Sequence, residues 1–283
     1  MADVVANGVR FHVQRLGKGE RTLVFLHGIL IDNLSGFYLT LAHALGDRYD
    51  LVMYDLRGHG RSEQPPHGYA LSQMTLDLRA LLDALALGDR QVTLIGNSSG
   101  VTVALAYAVR FPEQVEGLVL IDGVIDPREF SRKILATLMA EDGDPPEDAD
   151  EIWANWLNQH YAGDQLDRDG VDTSRLLGRL DGQRRSPLLN TARGLVYKTD
   201  FVPDMRLDPP YELDDLGRIG VPVLALYGDE SDVAAEGHRL AGLVPRCELV
   251  LVPEAGHGIL RQAAPRMRKE VIDWLARTGS APS

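Results

Sequence analysis

"TLIGNSSGVTVAL", Thr93–Leu105, runs from a block of β-branched and aliphatic residues, through a pair of serines enclosed by glycines, into a helical pattern of small and apolar residues. That order predicts a strand, a sharp turn and a helix. Gly96, Ser98 and Gly100 fit G-x-S-x-G, and in a strand-to-helix context the pattern describes a nucleophile elbow. A nucleophile held on such a turn leaves little room for side chains two positions before and two after it. Around Ser98 those positions are Gly96 and Gly100; around Ser99 they are Asn97 and Val101. The register therefore selects Ser98 as the nucleophile. Ser99 opens the helix, where its hydroxyl can help cap and its backbone N–H points at a developing negative charge.

Outward from this stretch, short apolar runs alternate with helical patterns. "TLVFLHG", "YDLVMYDLRG", "QVTLIG" and "VEGLVLIDG" read as strands, and Leu39 to Leu45, Leu71 to Leu87 and Ser99 to Arg110 as helices. Strands that are apolar throughout are buried on both faces, which is the mark of a parallel sheet covered by helices. After Gly123 the rhythm stops for about ninety residues, until "VPVLALYGD" from Val221. The gap holds an acidic, proline-containing stretch, "AEDGDPPEDADE", followed by "IWANWLNQHY", in which Ile152, Trp153, Trp156 and Leu157 recur at helical spacing. Residues 125–212 are thus expected to form a helical lid inserted between late strands of a core made from 1–124 and 213–283. The core resumes with "CELVLVP" and closes on an amphipathic helix, Pro265 to Ala276.

Composition excludes several classes of function. A net charge of −12 with scattered arginines repels nucleic-acid phosphates, so no nucleic acid is expected as a partner. No apolar stretch approaches the ~20 residues that cross a bilayer, so no membrane insertion is expected. The opening "MADVVANGVRFHV" lacks the basic and apolar regions of a secretion signal, so the expected compartment is cytoplasmic. The lone Cys247 lies in a strand pattern and is given no catalytic role. His12, His43, His67, His160 and His238 form no close H-E-x-x-H-type cluster, and neither G-x-G-x-x-G after a strand nor a phosphate-binding G-x-x-x-x-G-K-[ST] is present. No metal, no nucleotide and no other cofactor is implied; the expected partner is a small-molecule substrate.

"FLHG" at Phe25 to Gly28, "YDLRGHGRS" at Tyr54 to Ser62, "GNSSG", "YGDESDV" at Tyr227 to Val233 and "PEAGH" at Pro253 to His257 follow one another in an order that resembles the α/β-hydrolase superfamily. The resemblance covers nearly everything outside the lid and implies a mostly parallel, doubly wound α/β sheet. Val101 stands where many members have a further glycine, so packing beneath the elbow is expected to differ.

A serine hydroxyl needs an imidazole to take its proton, and the imidazole needs a carboxylate to orient it. The resemblance implies His257, in a glycine-flanked loop, as the base. Among Asp229, Glu230 and Asp232 it favours Asp232 as the acid, with Asp122, at the end of "VLID", in reserve. It implies oxyanion-hole amides at Ser99 and at Ile29, with Leu30 as the near alternative. Leu30, Asn97, Trp153 and Trp156 are candidate substrate-binding residues. Asp55 and Arg57 are expected to brace the "DLRGHGRS" turn, and His27 and His59 are given no catalytic part. The function so implied is cofactor-free serine hydrolysis of a carboxylic ester or thioester through an acyl-serine. "GNS" also resembles ring-cleavage-product hydrolases, which cleave a carbon–carbon bond, and a non-hydrolytic catalyst or ligand-binding protein using the same cavity is a third alternative.

Overall fold

The computed structural model describes residues 2–30, 32–138, 187–207 and 209–279. Its centre is an eight-stranded sheet of β1 (Ala2–Ala6), β2 (Val9–Leu16), β3 (Thr22–Leu26), β4 (Asp50–Tyr54), β5 (Val92–Asn97), β6 (Val115–Ile121), β7 (Val223–Gly228) and β8 (Cys247–Val252). The strands lie in the order β1-β2-β4-β3-β5-β6-β7-β8. From β4 to β8 every neighbouring pair is parallel, while β1 pairs antiparallel with β2 and β2 with β4. The expected mostly parallel, doubly wound sheet is present.

The apolar runs divide between two cores by strict alternation, as the pleat requires. In β3, Val24 and Leu26 enter one core while Leu23 and Phe25 enter the other. In β7, Val223, Ala225 and Tyr227 face the first and Leu224 and Leu226 the second. The helices Leu71–Ala84, Ser99–Arg110 and Ala234–Leu243 cover the first face, and the closing helix Ala264–Thr278 covers the second through Met267, Val271, Trp274 and Leu275. The helix expected to reach Leu87 stops at Ala84, because Ala86 turns left-handed (φ 57°) and the Leu87 amide folds back onto the Leu82 carbonyl.

Ahead of β3 the chain forms a hairpin, β1–β2, that the sequence reading did not assign. Asn7 and Gly8, both at positive φ (47° and 73°), make its turn. Of the proposed lid, the described residues show the helices Pro127–Leu138, Pro187–Lys198 and Phe201–Asp204. Trp153 and Trp156 lie outside the described residues. The carboxyl ends of β3, β5, β6, β7 and β8 converge on one edge of the sheet, where the loops of an open α/β fold gather their functional groups.

Candidate active site

Ser98 follows β5 with φ 54° and ψ −119°, a left-handed conformation that costs a non-glycine residue energy and is kept only where its surroundings enforce it. The enforcement is steric. A Cβ on Gly96 would sit 2.5 Å from the Gly100 carbonyl oxygen, and one on Gly100 would sit 2.0 Å from that of Leu26. Val101 is accommodated by a third glycine: a Cβ on Gly123 would approach the Val101 Cβ to 2.6 Å and the Ser98 carbonyl oxygen to 2.2 Å. The packing difference expected at Val101 is thus met from the next strand's loop. The Ser99 amide heads the helix Ser99–Arg110, where N–H groups have no intrahelical acceptor.

The loop after β8 brings His257 Nε2 to 3.1 Å from Ser98 Oγ. On the other side of the ring, Nδ1 donates to Asp122 Oδ2 at 2.8 Å, which fixes the tautomer with Nε2 as the acceptor. Asp122 ends β6 in a left-handed conformation (φ 46°) and is fully buried. Its Oδ1 accepts the Gly228 amide at 2.8 Å and its Oδ2 the Ser231 hydroxyl at 2.6 Å. The carboxylate hydrogen-bonded to His257 is therefore Asp122, and not Asp232 as the resemblance favoured. The turn after β7 explains the difference. Ser231 points inward to Asp122, so its neighbour Asp232 points outward, more than half exposed, with its carboxylate 3.6 Å from Lys133 Nζ. Burial pulls the His257 pKa down, but the hydrogen bond and charge of Asp122, helped by the charge of Asp232, outweigh it and leave the imidazole above its ordinary value.

In the loop after β3, two of three successive amides are engaged. The Gly28 amide donates to Asp32 Oδ2 at 2.9 Å and the Leu30 amide to His59 Nε2 at 2.9 Å. Between them, the Ile29 amide has no hydrogen-bond partner among the described residues. Two buried histidines underlie this arrangement. His59 is wholly buried, and burial together with His27 pushes its pKa down to about 3, so it donates from Nδ1 to the Arg57 carbonyl at 2.7 Å and keeps Nε2 free to accept. His27 Nε2 accepts the Leu56 amide at 2.9 Å. Asp55 accepts the Leu34 and Arg61 amides at 2.9 and 2.8 Å, and Arg57 forks onto Asp77 at 2.7 and 2.6 Å, so both brace the turn.

A cleft opens above Ser98. Ile29, Val124, Phe130, Ile134, Val233 and Leu260 give it apolar walls; Asn97, Asp32, Lys133, Asp232 and Arg261 add polar groups. Leu30, expected to bind substrate, does not line it: its left-handed backbone (φ 70°) turns the side chain into the core, where it is 1% exposed. Lys133 and Arg261 were missed by sequence reasoning, since a lone basic residue on a helix carries no signal of what it faces. Among the described residues no group of three or more His, Cys, Asp or Glu side chains is placed to hold a metal ion, and no helix is long and apolar enough to cross a membrane.

Comparison with known proteins agrees with this architecture. The sequence model of the alpha/beta hydrolase family matches residues 23–272. The chain belongs to this family. Among its relatives, the 2-(acetamidomethylene)succinate hydrolase of Mesorhizobium japonicum is 26% identical over 271 residues, covering 93% of this hydrolase and 90% of that protein. A 2-hydroxy-6-oxononadienedioate/2-hydroxy-6-oxononatrienedioate hydrolase of Paraburkholderia phymatum is 27% identical over 277 residues, covering 95% and 92%. The mouse serine hydrolase BPHL is 33% identical over 120 residues, 42% of this chain, and the match spans 41% of that protein's length. The fold of a meta-cleavage product hydrolase from Pseudomonas fluorescens superposes with a TM-score of 0.75 at 21% identity, over 98% of both chains. This hydrolase is accordingly an enzyme of the α/β-hydrolase fold.

Proposed function

We propose that this hydrolase cleaves a carboxylic ester or thioester of a small to medium, partly apolar molecule through an acyl-Ser98 intermediate, beneath a lid formed by residues 125–212. The observation that carries the reading is the continuous chain from Ser98 Oγ to His257 Nε2 and from His257 Nδ1 to buried Asp122, at 3.1 and 2.8 Å. Ser98 Oγ attacks the carbonyl carbon as its proton passes to His257 Nε2. The Ser99 and Ile29 amides hold the resulting oxyanion. The intermediate collapses, the C–O or C–S bond breaks, and His257 gives its proton to the departing alcohol or thiol. Water then attacks the acyl-enzyme and loses a proton to His257. Collapse frees the acid and returns the proton to Ser98. Asp122 orients the ring and stabilises the imidazolium.

The test is intact-mass analysis after exposure to a fluorophosphonate, with turnover of short p-nitrophenyl esters and acyl thioesters. One adduct on the wild type, none on Ser98→Ala, and loss of turnover by about 10³-fold or more in that variant are expected. Unchanged turnover by Ser98→Ala would overturn the reading. A second reading, hydrolysis of a carbon–carbon bond in a dienol or β-diketone, is favoured by Asn97 at the cleft beside the nucleophile and by the whole-chain similarity to the Paraburkholderia hydrolase named above. Conversion of a vinylogous diketone faster than of any simple ester would prefer it.

A further inference from the structure

We infer that the cleft carries an anion subsite at Arg261, so that the substrate class is a half-ester of a dicarboxylic acid, its free carboxylate held by this guanidinium while Ser98 attacks the ester carbonyl. The inference rests on the ester-hydrolase reading and extends it. Arg261 belongs to the short helix Ile259–Gln262, four residues beyond His257, and its side chain lines the same cleft as Ser98. It stands beside the turn that follows β3, 61% exposed: Nη2 is 3.9 Å from where a Cβ on Gly36 would stand and 3.8 Å from Asp32 Oδ1.

That second distance is an ion contact beyond hydrogen-bond length, and the Asp32 carboxylate is already engaged by the Gly28 and Asn33 amides, both at 2.9 Å. The guanidinium makes no side-chain hydrogen bond among the described residues. The weak ion contact biases Arg261 towards the cleft without consuming the planar fork of donors that fits a carboxylate in two-point contact. Lys133, the other cation at the cleft, stands against Asp232 at 3.6 Å and is a compact point charge without that fork.

Charge makes the placement selective. The molecule carries −12 overall, and Asp32 and Asp232 both line the cleft, so an anionic group is repelled except where a cation meets it. Elsewhere the walls are aliphatic and aromatic: Ile29, Phe130, Ile134 and Leu260 suit a methylene chain. An apolar spacer ending in a carboxylate satisfies both features.

The deciding experiment compares p-nitrophenyl butyrate with the mono-p-nitrophenyl esters of succinic and glutaric acids on wild type, Arg261→Gln, Arg261→Lys and Lys133→Gln. The quantity read is the ratio of kcat/KM for charged over neutral ester. A fall of about tenfold or more in Arg261→Gln, with partial recovery in Arg261→Lys, is expected for loss of a charge-assisted pair. A ratio unchanged in Arg261→Gln, or one that falls only in Lys133→Gln, overturns the subsite. Absence of turnover of every ester by the wild type overturns the ester-hydrolase reading instead. The subsite is then decided by calorimetric titration of glutarate into Ser98→Ala and Ser98→Ala/Arg261→Gln at fixed ionic strength. Affinity weakened about tenfold in the double variant supports it; equal affinity, or no saturable binding to Ser98→Ala, refutes it.

Discussion

At the scale of single residues, the site concentrates its strain where its chemistry is. Ser98, Leu30 and Asp122 are three of the six non-glycine residues with positive φ among the described residues, and each belongs to one part of the proposed machinery: the nucleophile, the loop proposed to meet the oxyanion, and the acid. Asp122 also raises the pKa of His257, and the base form of the ring is lost as pH falls through that raised value. The acid limb of kcat/KM in the wild type should therefore lie above the ordinary imidazole pKa of about 6.5. In Asp122→Asn the charge that favours the imidazolium is gone, and a carboxamide whose oxygen keeps the Gly228 amide turns its NH2 group, not an acceptor, to His257 Nδ1. The acid limb should move to lower pH while kcat drops by about 10³- to 10⁴-fold, which a pH–rate profile measures. A limb that stays in place would mean another group sets it. Ser98 was readable because sterics restrict what can flank it, and Asp122 was not readable as the partner because the decision between it and Asp232 hangs on a one-residue offset in the turn after β7. Ser231 takes the inward position there, and nothing in "GDESDV" reveals which of two adjacent side chains will do so.

At the scale of elements, the elbow is a joint between β5, β6 and the helix Ser99–Arg110, and its glycines are matched to it. Gly123→Ala places a methyl against Val101 and the Ser98 carbonyl, a clash of backbone and branched side chain with no flexible end to yield. Overpacking of this kind costs about 1–3 kcal/mol. Denaturant unfolding should show that loss, and the loss on adding the methyl should be smaller in a Val101→Gly background, as expected for two residues in direct contact. The parallel strands and the helix Ser99–Arg110 were legible because burial on both sheet faces leaves continuous apolar runs. The hairpin β1–β2 carried its own signal, Asn7-Gly8 between apolar runs, which is the strongest short-range mark of a two-residue hairpin turn. Leu30 misled for a different reason: "GIL" is equally apolar whether a side chain faces the cleft or the core, and only the left-handed backbone at Leu30 settles which.

At the scale of the whole molecule, the buried polar layer beneath the loop after β3 couples stability to pH. His59 has a folded pKa of about 3 against an ordinary value near 6.5, so the unfolded chain binds the extra proton between those values. Its contribution to stability is full above about pH 6.5 and declines as pH falls towards 3, with a slope of about 1.4 kcal/mol per pH unit. His257 acts with the opposite sign, since its raised folded pKa contributes stability at low pH that is lost as pH rises through that value. Unfolding free energies measured from pH 6.5 down to 4 should therefore show a His59 component of about one proton that disappears in His59→Gln. An identical slope in the variant would place the acid sensitivity elsewhere. The global arrangement, a sheet with its functional loops on one edge, followed from the rhythm of apolar runs. The substrate's identity did not, because the cations that face the cleft are set by tertiary packing rather than by any local pattern.

The most direct test of the Ser98–His257–Asp122 arrangement is the rate at which a fluorophosphonate adduct forms, followed by intact mass, in Ser98→Ala, Asp122→Asn and Asp232→Asn beside the wild type. The structure predicts no adduct on Ser98→Ala, labelling slowed by about 10²-fold or more in Asp122→Asn, and a change of only a few-fold in Asp232→Asn, whose exposed carboxylate acts on His257 through space alone. Slow labelling of Asp232→Asn with near-normal labelling of Asp122→Asn would contradict it and return the acid's role to the loop after β7.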